Sequence, residues 1–196
     1  MHLKKRYLNP GTLCVCAMLI AMEVVLNRFC SINTMGLKIG FSFVPPVAAA
    51  MLYGPVVSGI VYGMGDFIGA ILFPIGPYHP GFTLCAVLMG VIYGLFLHRS
   101  EENTGKPFSF TNIRFFPNML VPTLVNTLFL GLVVNTYWVS MLYGKKTYWG
   151  WFVYRLPEYA ILIPVILVLL PILLRLTDML RKTRLIDGKK TGKTGH

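Results

Sequence analysis

Residues 149–174 read WGWFVYRLPEYAILIPVILVLLPILL, and this stretch decides the fold. Only Arg155 and Glu158 interrupt it with charge. A helix crossing the hydrocarbon core needs ~20 mostly apolar residues, each advancing it about 1.5 Å, and in lipid its backbone must satisfy its own hydrogen bonds. Comparable stretches recur at 11–29, 39–53, 55–73, 82–98 and 116–142. Six spans consume most of the 196 residues, which are 55% hydrophobic with a mean hydropathy of +0.65. That exceeds what the core of a soluble domain requires, and the surplus has to meet lipid. The sequence therefore predicts an all-α membrane protein with six transmembrane helices. The first apolar stretch is too long for a signal peptide and lacks a small-residue cleavage site, so it is read as a span.

A formal net charge of +11 raises nucleic acid as a partner, and the placement of the charges argues against it. With the N-terminus inside, Lys4, Lys5, Arg6, Arg99, Lys106, Arg114, Arg175, Arg181, Lys182, Arg184, Lys189, Lys190 and Lys193 are cytoplasmic. Arg28, Lys38, Lys145, Lys146 and Arg155 fall toward the other side. This thirteen-to-five bias follows the positive-inside rule and predicts that both termini are cytoplasmic, as six spans require. Residues 1–178 then form a single six-helix domain, and 179–196 a basic cytoplasmic tail that sets orientation in the bilayer.

Several kinds of chemistry are excluded by spacing. Cys14, Cys16, Cys30 and Cys85 show no CxxC or zinc-ligand pattern, and His2, His79, His98 and His196 are scattered, so no metal and no cofactor is expected. Gly188-Lys189-Lys190-Thr191-Gly192-Lys193-Thr194 resembles a phosphate loop but has three residues between its glycines instead of four, with no strand before it and no helix after it. Any ATP-driven step must come from another polypeptide. Asp66, Glu158 and His79 could serve a membrane enzyme, but no nucleophile and base stand at a workable spacing, so the chain is not read as an enzyme.

Gly54-Pro55 joins the second and third spans by a very short turn, and Pro45-Pro46 should kink the second span or delay its start. Residues 99–115 are the one sizeable polar stretch between spans. Phe73 to Phe82, with Pro74, Gly76, Pro77, Pro80 and Gly81, is too rich in proline and glycine for helix and reads as a rigid lid. Ala17 and Ala21 lie one turn apart on the first span, a small-residue face that allows close approach either within the bundle or by a separate helix.

Charge inside a span costs roughly 2.5–3.5 kcal/mol even on the lenient insertion scale, so its depth is informative. Glu23 and Arg28, Asp66, and Arg155 and Glu158 all fall in the outer halves of the first, third and sixth spans, while the inner halves carry essentially none. Five charges at similar depth describe either a polar pocket opening outward or ion pairs that only tie helices together. Phe29, Phe41, Phe43, Phe73, Tyr78, Phe82, Trp138, Trp149 and Trp151 gather at the same level, as an interfacial belt or as surfaces to stack on a planar ligand.

These residues carry a resemblance that covers the whole chain. Ala17–Ala21, Asn27-Arg28-Phe29-Cys30-Ser31-Ile32, Leu37-Lys38-Ile39-Gly40-Phe41, Gly54-Pro55, Asp66, Gly76-Pro77-Tyr78-His79-Pro80-Gly81-Phe82-Thr83, Gly90-Val91-Ile92-Tyr93-Gly94 and Arg155-Leu156-Pro157-Glu158 resemble the S components of energy-coupling factor (ECF) vitamin transporters, in their folate-type branch. The resemblance implies a high-affinity vitamin-binding subunit in the bacterial plasma membrane. It implies as partners a transmembrane T component, contacted by Ala17 and Ala21, and two ATPases that supply the energy. Arg28, Phe29, Lys38, Asp66, Tyr78, Phe82, Arg155 and Glu158 are the expected substrate-binding residues, with folate as the expected vitamin. Riboflavin, thiamine or a deazapurine remain alternatives within the class. An ion-coupled secondary transporter is the alternative outside it, although no paired halves with interrupted helices are visible.

Overall fold

Proline in the first turn of a helix costs little, because the N–H it lacks would have no intrahelical partner there. The computed structural model describes residues 10–34, 37–98, 115–144 and 147–182, and several of its helices carry proline in this way. Helix α1 spans Pro10–Arg28, α2 Val44–Tyr53 with Pro45 and Pro46 in its first turn, α3 Pro55–Leu72 and α4 Pro80–Leu97. The fifth apolar stretch is α5 Phe115–Leu124, a π-helical segment Val125–Val134, and α6 Asn135–Tyr143, in continuous succession. Helix α7 runs Tyr148–Lys182 with Pro157, Pro164 and Pro171 inside it.

Five helices are long and apolar enough to cross a membrane, and α2 is a shorter apolar one, so the six expected helical stretches are present among the described residues. The expected second span began at 39, whereas α2 begins at Val44. The prolines delay the helix rather than kink it, and the residues before it are used otherwise. Ser31–Thr34 (β1) and Leu37–Gly40 (β2) pair antiparallel, with Ser31 opposite Gly40 and Ile32 opposite Ile39. Among the described residues, this short hairpin is the one addition to a helical architecture. The Ser31 hydroxyl donates to the Asn27 carbonyl and so occupies an acceptor left open at the end of α1. The last helix outruns the expected boundary at 178 by one turn. The tail beyond 182, the segment 99–114 and the phosphate-loop-like run lie outside the described residues.

The α2–α3 turn is as short as the sequence indicated, since Gly54 alone stands between the helices, at φ 90° where a side chain would be strained. Helix α3 then lies against α4 at backbone contact. A Cβ added at Gly90 would come 2.6 Å from the Ser58 carbonyl oxygen, and one at Gly94 would collide with the Pro55 backbone. The Ser58 hydroxyl donates to the Pro46 carbonyl at 2.8 Å and ties α2 to the same pair. Val47 and Met51 of α2, Tyr93 and Leu97 of α4, and Ile166 and Leu170 of α7 form the main apolar cluster. It fills the end of the bundle where α4 finishes. At the opposite end α1, α3 and α6 finish, α4 and α7 begin, and the hairpin and the lid cross over. The outer surface carries large exposed apolar side chains such as Met18, Ile60, Leu84, Phe129 and Val168, as a lipid-facing wall should.

Candidate functional site

A cavity of about 310 Å³ opens at the lid end, within the size range of small-molecule sites. Every helix reaching that end contributes: Asn27 and Arg28 from α1, Tyr62 and Asp66 from α3, Phe82 and Met89 from α4, Asn126 and Asn135 from the fifth span, Arg155 and Glu158 from α7. The lid adds Pro74 through Tyr78, and Leu162 and Ile166 lie at the apolar floor.

Arg155 lies about two turns into α7, and burial obliges its charge to find partners. Its Nε donates to Glu158 Oε2 at 3.2 Å, Nη1 to Thr136 Oγ1 at 3.3 Å and Nη2 to the Tyr159 hydroxyl at 2.7 Å. The Tyr159 ring also faces the guanidinium carbon at 5.3 Å. A guanidinium has five N–H groups, so this network fixes the fork and still leaves donors for a ligand. The Arg155–Glu158 ion pair is real, and it stands in the cavity wall rather than apart from it.

Asp66 anchors the lid. Thr83 Oγ1 donates to Asp66 Oδ2 at 2.9 Å and lies 3.0 Å from the Tyr78 hydroxyl. The one hydrogen of Thr83 is committed to the carboxylate, so Tyr78 donates to Thr83, and the chain Tyr78–Thr83–Asp66 runs from lid through α4 to α3. A second fastening is His79, which accepts from the Gly81 N–H at 3.0 Å and stacks on Trp138 with centroids 4.6 Å apart. The expected lid is irregular over 73–79 only, since Pro80 already opens α4.

Of the eight residues expected to bind substrate, Arg28, Asp66, Tyr78, Phe82, Arg155 and Glu158 line the cavity together. Arg28 closes α1 over Gly69, and its Nε is buried without a hydrogen-bond partner among the described residues. Phe29 turns away: it is 65% exposed and packs edge-on to Phe73 at 5.1 Å, because the residue after an inward-facing Arg28 is rotated about 100° around the helix. Lys38 lies on β2 opposite Asn33, with its side chain outside the described residues. Glu23, the fifth of the converging charges, is fully buried behind the wall and accepts from Asn27 Nδ2 at 2.9 Å. Ala17 and Ala21 are exposed on α1, so their small side chains do not serve packing within the bundle.

Sequence reasoning missed the uncharged polar residues of the fifth span. Asn126, Thr127 and Asn135 line the cavity, and Thr136 is fully buried beneath Arg155. The available signal was the repeated dipeptide Asn126-Thr127 and Asn135-Thr136, nine residues apart in an apolar stretch.

Fold and site together define a multi-pass membrane protein with a ligand-sized cavity at one end of its helix bundle, mostly apolar and carrying a few charged and polar groups. The chain belongs to the substrate-specific components of ECF transporters, whose family model matches residues 12–174. It is similar to the folate transporter FolT of Clostridium novyi (strain NT), at 34% identity over 84% of this chain and 88% of the relative. A folate transporter FolT from Leuconostoc mesenteroides is 28% identical over 68% of this chain and 65% of that one. Among solved structures, a FolT crystallised with folic acid superposes with a TM-score of 0.73 at 31% identity, covering 85% of this chain and 94% of the other.

Proposed function

We propose that this chain is the folate-binding subunit of an ECF-type ABC transporter in the bacterial plasma membrane, that it captures the vitamin at the outer surface, and that it hydrolyses nothing. The observation that carries the reading is the cavity wall itself. Buried Arg155 with donors to spare, Arg28 near the outer end of α1 and the acceptors Asp66 and Glu158 surround an aromatic, lid-covered space. The basic groups suit the carboxylates of folate, with Lys38 of β2 as a third proposed basic contact. Asp66 or Glu158 accepts from an N–H of the amino-substituted ring, while Tyr78 and Phe82 close the mouth of the cavity under the lid. The relative that holds folic acid, and the match over most of both chains, favour folate over another planar vitamin.

Both termini are cytoplasmic in this reading, supported by the thirteen-to-five distribution of lysine and arginine, with a binding domain that runs to the end of α7 at Lys182 and a basic tail after it. A transmembrane T component packs on Ala17 and Ala21, and two ATPases supply the energy. The deciding experiment is purification in mild detergent, followed by the absorbance spectrum of the co-purifying small molecule and titration with folic acid. A pteridine spectrum and saturable tight binding are expected. A flavin or thiamine spectrum, with no response to folic acid, would transfer the reading to that vitamin.

A further inference from the structure

Asn135 follows Asn126 by nine positions. On an α-helix nine residues make two and a half turns, which sets two side chains on opposite faces. With π-helical i→i+5 bonding a turn takes roughly 4.4 residues, so nine residues come close to two full turns and the side chains share a face. Val125–Val134 is π-helical, the Asn135 N–H still bonds to the Leu130 carbonyl five residues back, and both asparagines line the cavity. The opposite side of the span keeps the same register. Val121, Val125, Phe129, Val133, Tyr137 and Met141 are exposed at four-residue intervals, a spacing that would wind around a pure α-helix by about 40° per step.

π-Helical turns are rare, mostly single bulges within α-helices, and are frequently found at functional sites. Here the segment brings two amides to one wall. Asn126 is almost fully buried, and its Nδ2 donates to the Met89 carbonyl at 3.0 Å, which identifies the other amide atom as the oxygen. Asn126 Oδ1 and Asn135 Oδ1 are both buried without a hydrogen-bond partner among the described residues. An acceptor in that position calls for a donor, the more so in a bilayer where water is scarce. Asn126 lies beside Met89, midway along α4, whereas Asn135 adjoins Thr136, which holds Arg155, and Trp138, which stacks on the lid.

We infer that Asn126 and Asn135 are two acceptor points, aligned by the π-helical register, that read N–H donors at two heights along an elongated ligand. The spacing is roughly 10 Å, about two turns. On the folate reading above, which this inference deepens, Asn126 takes the ring amino group at the inner end and Asn135 takes the bridging amine nearer the lid. The carboxylates then point outward, toward Arg155 and Arg28. Asn126 thus selects a heterocycle that carries an amino donor, and Asn135 selects a linker that carries an N–H.

The test is calorimetric titration of the folded, detergent-solubilised chain with folic acid, its 2-desamino analogue and its 10-methyl analogue. Asn126→Leu should weaken folic acid about ten-fold or more and change the 2-desamino analogue by less than about three-fold. Asn135→Leu should behave in the same way toward the 10-methyl analogue. If a leucine variant does not fold, Asn126→Thr and Asn135→Thr, which remove the amide oxygen and keep a small polar group, take its place. Equal weakening of all three ligands means a structural role and overturns the inference, as does parent-like folic acid binding by both variants. The folate reading fails separately: a parent that binds pterin but not folic acid sinks it, and Asn126 is then judged on pterin against 4-oxopteridine by the same criterion. A parent that binds none of these compounds sinks both.

Discussion

Arg155 sits where charge is costly, and what keeps it there also prepares it to bind. Glu158, Thr136 and Tyr159 each accept one of its N–H groups, so the guanidinium is already oriented when a carboxylate arrives. Truncating one partner of a desolvated charge pair typically costs 2–5 kcal/mol, so Arg155→Ala should weaken folic acid binding by roughly 30-fold or more in calorimetric titration of the folded variant. Arg155→Lys should recover little, because an ammonium cannot span three acceptors and a ligand with a planar fork. Binding like the parent's in Arg155→Ala would leave only the ion pair with Glu158 as this residue's role. Residues of this kind were legible in the sequence, since a charge inside an apolar stretch is conspicuous and demands a reason. Asn126 and Asn135 were not, because an uncharged amide raises no alarm and α-helical spacing sends the two to opposite faces. Phe29 shows the converse limit: it stands beside Arg28 in the chain, and one residue of helical rotation takes it out of the cavity.

Among the elements, the lid and the α3–α4 pair bear on function in opposite ways. The lid is fastened by hydrogen bonds that can open, through the chain Tyr78–Thr83–Asp66. Thr83→Val keeps the shape of the side chain and removes both bonds, so it should raise the dissociation rate of folic acid several-fold and leave the association rate nearly unchanged in stopped-flow fluorescence. Unaltered dissociation would make the segment a plain connection. The α3–α4 contact, by contrast, leaves no room for movement. A side chain at Gly90 would meet the Ser58 carbonyl, so Gly90→Val should lower the thermal midpoint of the solubilised chain through overpacking of about 1–3 kcal/mol. A midpoint equal to the parent's would mean the helices separate more easily than their backbone contact implies. The long spans were readable from length and hydropathy alone, and the glycine–proline turn from its residue types. The start of α2 was not, because the apolar residues from 39 continue the pattern of the span without a break while the backbone there is still strand and turn. The hairpin was hidden for the same reason, since two four-residue strands carry too little periodicity to register beside transmembrane stretches.

For the whole molecule, the proposed coupling to ATPases through a T component requires a surface on which another membrane helix can pack. Helix α1 offers the surface for it. Its inner side packs Cys16, Leu19 and Ile20 against the cluster of Ala49, Val57 and Val61, and buries Glu23, Val24 and Asn27. Its outer side exposes Cys14, Ala17, Met18, Ala21 and Met22. In lipid, apolar burial gives no drive to association, so helices meet where small residues let their backbones come close. Ala17 and Ala21 are such residues on a face that the bundle leaves uncovered, and a tryptophan there would hold a neighbouring helix away without entering the cavity. Ala17→Trp and Ala21→Trp should therefore leave the folic acid affinity of the isolated subunit within about three-fold of the parent, a difference under about 1 kcal/mol. Uptake by cells that express the subunit with the proposed T component and ATPases should fall to near background. The two measurements have to be made on the same variants, because a loss of both would mean that α1 is distorted. Normal uptake with normal binding would move the docking surface to another face of the bundle, and the exposed apolar residues of α4 or of the fifth span would be the next to substitute.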